Sequence, residues 1–134
     1  MLIVLQDSPD PDALAAAAAL RLIANQTAGV PCTLAHGGII GRAENAALVR
    51  YLGLSPRRFA AAELDRYALV ALVDTQPGTG NNPLPVEYTP SIVIDHHPVR
   101  RLTRSCPFTD IRRRYGATST ILCEYLQTFG IQPD

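Results

Sequence analysis

Leu2 to Leu5 is an unbroken apolar run, which predicts a strand buried on both faces of a parallel sheet. Ala68 to Val73 and Ser91 to Ile94 read the same way, and Cys32 to Ala35 adds a further short strand. Between the first two strands, Asp10 to Gln26 is rich in alanine and leucine and predicts a helix, with Pro9 and Pro11 at or before its first turn. Gly29-Val30-Pro31 ends it. His36-Gly37-Gly38 is a turn, Ala43 to Leu52 an amphipathic helix capped by Gly53, and Ala60 to Arg66 a shorter helical piece. The segment Gln76 to Pro90, full of proline, glycine and asparagine, predicts a surface loop. Phe108 to Ile111 suits an edge strand, and Gly116 to Phe129 a last helix with Gly130 as its cap. This alternation predicts an α/β fold, a mostly parallel sheet with helices on both faces. Residues 1–134 are expected to form one domain, or one lobe of something larger, with no internal repeat.

Composition narrows the class without naming a function. Hydrophobic residues make up 47% and charged residues 18%, a folded rather than disordered balance. The formal net charge of zero selects no partner. All 12 basic residues are arginines, and Arg100, Arg101, Arg104, Arg112, Arg113 and Arg114 crowd one stretch. Arginine suits bidentate contact with phosphate, although a solvated loop is the better explanation for most of the six. Cys32, Cys106 and Cys123 are scattered and odd in number, which points to buried thiols in a reducing cytosol rather than disulfides or a zinc site. The N-terminus lacks a basic region before its apolar run, and the alanine-rich helix is too short to span a bilayer. A cytoplasmic, membrane-free protein is the expectation.

Chemistry concentrates where the buried strands end. The first is followed by Asp7, Asp10 and Asp12, the third by Asp74, and the fourth by Asp95, His96 and His97. Ligands of doubly wound sheets bind outside the carboxyl ends of the strands. Five carboxylates and two histidines gathered there repel one another unless positive charge offsets them, and their oxygens and neutral imidazoles are good ligands for Mn²⁺ or Mg²⁺. A pair of such ions is the common device for phosphoester hydrolysis. Each piece has a plainer explanation alone: Asp-Pro-Asp as a helix cap, Asp74 as a turn residue, Asp7 as a solvated side chain. Their joint placement favours a metal site.

Pro9-Asp10-Pro11-Asp12-Ala13, Val73-Asp74-Thr75, Ile94-Asp95-His96-His97-Pro98 and Gly116-Ala117-Thr118-Ser119-Thr120 resemble, in order and approximate spacing, the first four regions of the DHH phosphoesterases. That family includes RecJ-like exonucleases, oligoribonuclease and phosphoadenosine-phosphate phosphatases, cyclic-dinucleotide phosphodiesterases and family II pyrophosphatases. The resemblance implies a DHH-type N-terminal domain holding two ions, Mn²⁺ or Mg²⁺, and hydrolysing nucleotides or short oligonucleotides. It implies that Asp10 binds one metal and Asp12 the other, that Asp74 bridges them and that His96 completes the second site. His97 would face the substrate phosphate or give a proton to the leaving group, with Asp95 orienting the imidazoles. Arg114, the backbone at Gly116, and the Thr118 and Ser119 hydroxyls would contact phosphate, although Gly116 equally suits a plain helix start. A homodimer is compatible with this reading.

Two departures qualify the resemblance. Gln6 stands where most members carry a metal-binding histidine, and its amide oxygen is a weaker, uncharged ligand. A further aspartate and a C-terminal substrate-binding lobe usually follow the last helix, and Asp134 is a poor substitute for that aspartate. A non-catalytic nucleotide- or metal-sensing module is therefore the alternative to an enzyme. A receiver-like domain binding one Mg²⁺ accommodates Asp10 and Asp12 but not Asp-His-His. His36 beside its glycines is expected to be structural, and Arg42, Glu44 and Asn45 to begin the second helix.

Overall fold

A computed structural model describes residues 1–133; Asp134 lies outside the described residues. In chain order the elements are β1 (Leu2–Leu5), α1 (Pro11–Ala28), β2 (Thr33–His36), α2 (Ala43–Tyr51), β3 (Arg57–Arg58), a 3₁₀ helix (Ala61–Arg66), β4 (Val70–Val73), β5 (Ile92–Asp95), a second 3₁₀ helix (Leu102–Ser105), β6 (Phe108–Ile111) and α3 (Thr118–Thr128). The six strands form one sheet in the order β3-β2-β1-β4-β5-β6, and every pairing is parallel. The expected α/β architecture is therefore present, with the sheet wholly rather than mostly parallel.

Strand periodicity divides the core into two. Ile3, Leu5, Leu34, Ala71, Val73 and Ile94 face one cluster with residues of α1, α2 and α3; Leu2, Val4, Ala35, Val70, Leu72 and Val93 face the other. The second face is covered by Leu64 of the first 3₁₀ helix, by Leu84, and by the partly buried Tyr67, Tyr88 and Cys106. Right-handed crossovers explain the split, because the chain steps outward from β1 in one direction and from β4 in the other. α1 and α2 thus pack on one face, where α3, after the last strand, joins them by packing on α1, and 3₁₀ turns with extended loop cover the opposite one. On the α1 side Ala13, Ala16 and Ala17 are fully buried, so the small side chains let this helix approach the sheet closely.

Several boundaries differ from the sequence expectation for local reasons. α1 continues past Gln26 to Ala28, because its stop is Gly29 in the left-handed conformation, whose N–H reaches the Asn25 carbonyl while that of Val30 reaches Ala24. β3, two exposed arginines, carries no apolar signal and is found only by its pairing with Ala35 and His36. α3 begins at Thr118 rather than Gly116, since Ala117 is extended at φ −156°. The segment after Val73 is not all surface: Thr75, Gln76, Pro77, Leu84 and Pro90 are buried. Nor are the thiols fully buried, Cys32 and Cys106 being partly exposed and Cys123 exposed, and all three are free. Among the described residues no helix is long and apolar enough to cross a membrane.

Candidate metal centre at the carboxyl edge of the sheet

The sheet order reverses between β1 and β4, the place where parallel α/β sheets open a crevice at their carboxyl edge. Register puts the ends of β1, β4 and β5 side by side there, Val4 opposite Leu72 and Leu72 opposite Val93. The residues that follow each strand consequently converge.

Asp74 is the centre of the group. It is 2% exposed and takes a left-handed backbone, φ 61°, just after β4. Aspartate tolerates that region better than most residues, and the turn directs the carboxylate inward instead of continuing the strand. The Thr118 hydroxyl donates to Asp74 Oδ1 at 2.9 Å. His96 Nε2 lies 3.5 Å from the same oxygen and 3.8 Å from Asp12 Oδ2. The other ring nitrogen of His96, Nδ1, is 3.0 Å from the Tyr115 carbonyl. A carbonyl can only accept, so Nδ1 carries a proton, and in the neutral ring Nε2 is then the nitrogen with a lone pair facing the carboxylates, the tautomer that a metal ligand requires.

Asp95 and Gln76 organise the neighbouring imidazole. Asp95 Oδ1 accepts from the His96 backbone N–H and from His97 Nδ1, each at 2.8 Å. Its other oxygen accepts from Gln76 Nε2 at 2.7 Å. Gln76, 1% exposed, also donates to the Pro98 carbonyl at 3.0 Å, while its own oxygen accepts from Arg100 N–H and the Thr103 hydroxyl, both at 2.8 Å. One buried amide thereby ties the Asp-His-His segment to the loop that follows it. Sequence reasoning placed Gln76 in a surface loop; its signal was its position two residues beyond Asp74, on a strand end already rich in polar side chains.

The electrostatics follow from this crowding. Burial, reinforced by the charges of Asp12 and Asp10 and opposed by the Thr118 hydroxyl, pushes the Asp74 carboxyl up to about 8. Burial also acts to raise Asp12, but hydrogen bonds from Ser119 and Thr118 outweigh it and hold Asp12 below its ordinary value. His97 goes the other way: burial disfavours its cation, and the Asp95 hydrogen bond and charge more than compensate, so its pKa is raised. A buried carboxylate facing another carboxylate and an imidazole is relieved either by a proton or by a cation. Asp74, Asp95, His96 and His97 each offer a ligand atom within 4.8 Å of the others, a group able to hold a metal ion.

The other expected site residues occupy distinct places. Asp10 is the N-cap of α1, accepting from Ala13 N–H at 2.9 Å, and it lies near enough to Asp74 to raise it. Gln6 lines a cleft with Asp10, Arg42 and Asn45. The N–H groups of Thr118 and Ser119 donate to the two Asp12 oxygens at 2.9 and 2.7 Å, so Asp12 occupies the start of α3 that was expected to receive phosphate. Thr118 is fully buried with its hydroxyl on Asp74, so that hydroxyl is turned to the interior and not to solvent. Ser119 stays partly exposed, and Gly116 and Arg114 are exposed. Arg100, not Arg114, lines the hollow beside Asp74, Asp95 and His97. Arg112 is engaged elsewhere, bound to Asp110 at 2.9 Å and to Glu124, with Tyr115 at 3.1 Å. His36 is buried with Nδ1 against the Gly37 carbonyl at 2.8 Å, in the structural role expected of it. Asp7 is exposed.

No family model matches the chain. It is similar to an uncharacterized protein of Methanocaldococcus jannaschii, 38% identical over 134 residues. The match takes in 99% of this chain and 27% of that protein, so the chain spans about a quarter of the relative's length.

Proposed function

We propose that the chain is the metal-binding domain of a phosphoesterase of the DHH type, acting on nucleotides or short oligonucleotides with Mn²⁺ or Mg²⁺. The observation that carries the reading is the convergence of Asp12, Asp74 and the His96 lone pair within 4 Å, with His97 poised next to them on Asp95. Asp12, Asp74 and His96 would hold one ion, and Asp10, with Asp74 shared, a second to which Gln6 adds a weak ligand. Such ions supply an activated water and offset charge on the phosphoryl oxygens.

The chain's own residues account for the rest. With Nδ1 engaged by Asp95, His97 presents Nε2 to the hollow it lines with Asp74 and Arg100. Its pKa is raised by the Asp95 hydrogen bond and charge, which favours the doubly protonated ring, and the Nε2 proton of that form would go to the departing oxygen. Asp95, held by Gln76, fixes the ring and stabilises its cation. Arg100, exposed and lining the same hollow, would offer its guanidinium to a phosphoryl oxygen.

The test is hydrolysis of a chromogenic phosphodiester and of short oligonucleotides by the full protein with added Mn²⁺. Asp74→Ala and His96→Ala are expected to abolish it; full metal-dependent activity in both would end the proposal. A sensing module without turnover is the second reading, favoured by Gln6, whose uncharged amide replaces a stronger ligand. Mn²⁺ binding by calorimetry in a protein that hydrolyses none of these substrates would select it.

A further inference from the structure

Beside Asp10 lies a second cleft, of about 350 Å³, whose lining includes Gln6, Pro9, Ile39, Arg42 and Asn45. It shares no lining residue with the hollow at Asp74 and His97, and Asp10 links it to the metal centre. Asn45, in the first turn of α2, is 6% exposed, and its Nδ2 donates to the Pro9 carbonyl at 3.2 Å. A carbonyl only accepts, so that bond fixes the amide orientation and leaves Oδ1 as a pure acceptor. Oδ1 has no partner, and it is the one buried side-chain polar atom among the described residues left in that condition. Unpaired buried acceptors are costly and rare, which makes this one a marker for a donor supplied from outside the chain.

Its surroundings define the complement. Arg42 is the N-cap of α2 and makes no side-chain cap, so the helix start and the guanidinium both offer donors. Ile39 is 66% exposed at the same cleft and offers an apolar surface. Ionised phosphate oxygens only accept and cannot satisfy Asn45. We infer that this cleft binds the organic moiety attached to the scissile phosphate, a ring-bearing group such as a nucleoside whose hydroxyl or amino group donates to Asn45 Oδ1. The inference rests on the phosphoesterase reading of the adjacent centre. Substrate then spans Asp10, with phosphate on the metal side and the ring against Ile39. Arg42 contacts an acceptor on the ring, and Asn45 discriminates moieties that carry a donor from those that do not.

Calorimetric titration of the full protein with Mn²⁺, inorganic phosphate, adenosine and adenosine 5′-monophosphate tests this. With Mn²⁺ present, the nucleotide is expected to bind at least tenfold more tightly than phosphate. Asn45→Ala should weaken nucleotide and adenosine binding roughly five- to tenfold and leave phosphate and Mn²⁺ binding unchanged. Arg42→Gln, at an exposed position, should also weaken the nucleotide, and thermal unfolding of both variants monitors the fold. Inosine 5′-monophosphate and 2′-deoxyadenosine 5′-monophosphate separate an amino from a 2′-hydroxyl donor: the one that loses affinity names the group. Mn²⁺ and phosphate binding with no gain from the nucleoside overturns the cleft and spares the metal reading. Adenosine binding that depends on Asn45 in a protein without Mn²⁺ affinity supports the cleft and removes the metal reading. Equal loss of phosphate and nucleotide in a folded Asn45→Ala overturns the inference.

Discussion

Replacing Asp74 with asparagine removes one charge from the carboxyl edge while keeping an oxygen for the Thr118 hydroxyl. Without metal, the native carboxyl is pushed from 3.8 to about 8, chiefly by burial and by Asp12. That separation corresponds to roughly 6 kcal/mol between its charged and neutral forms; relaxation and water penetration reduce the realised penalty to about 2–4 kcal/mol. A carboxyl raised on folding makes the folded state the better proton binder. Its contribution is therefore fully present below about pH 4 and is lost as pH rises through about 8. The asparagine does not titrate. In urea unfolding with EDTA, Asp74→Asn should thus gain on the native chain from about pH 4 upward, by about 2–4 kcal/mol near pH 8, and level off beyond. Saturating Mn²⁺ should reverse the order, because only the native carboxylate binds it. An asparagine variant no more stable than the native chain at pH 9 in EDTA would refute the electrostatic reasoning on which the metal centre depends.

If Asp74 binds Mn²⁺ as proposed, the ion must displace the Asp74 proton, so affinity measured by calorimetry should climb with pH and flatten above about 8. Asp95→Asn should lower the His97 pKa, since the hydrogen bond and charge that raise it are lost; imidazole titration by NMR in the metal-free protein reads this, and an unchanged midpoint would contradict the assigned role. Gln76→Leu strands Asp95 Oδ2 and the Arg100 N–H in the interior and should cost roughly 2–4 kcal/mol in denaturant unfolding. Gly38→Ala should cost about 1–2 kcal/mol by the same measurement, because the position has φ 59° and an added Cβ would stand 3.0 Å from the Ser8 backbone nitrogen.

Legibility of the fold from sequence tracks how local its causes are. β1, β4 and β5 are short apolar runs whose two-sided burial writes itself into composition, and α1 declares its length through alanines and a terminal glycine. β3 has no such signature, because Arg57 and Arg58 are exposed and the strand exists by pairing with β2. The start of α3 lies two residues beyond the glycine that suggests it for a similar reason: Asp12, 106 residues away, accepts from Thr118 N–H and helps define where the helix begins. The buried stretch from Thr75 to Pro77 was concealed by its loop-like composition, since its burial comes from partners near Asn81 and Thr103 that only the folded chain supplies.

The site divides along the same line. Which carboxylates and imidazoles converge follows from strand order, as each lies at the end of a central strand or in the segment that leaves it. What each then does depends on hydrogen bonds that no spacing encodes. Asp12 and the start of α3 appear in the sequence as two anion-related features, a carboxylate and a helix N-terminus, each with its own expected ligand. In the folded chain they satisfy each other through Thr118 and Ser119, so neither is free to do everything its pattern suggests. Asp12 is accordingly held below the ordinary carboxylate value, while Asp74, with a single hydroxyl donor and deeper burial, is pushed above it. Two aspartates of equal intrinsic acidity thereby become unequal, and it is the weaker acid, the one closest to the His96 lone pair, that has most to gain from a cation.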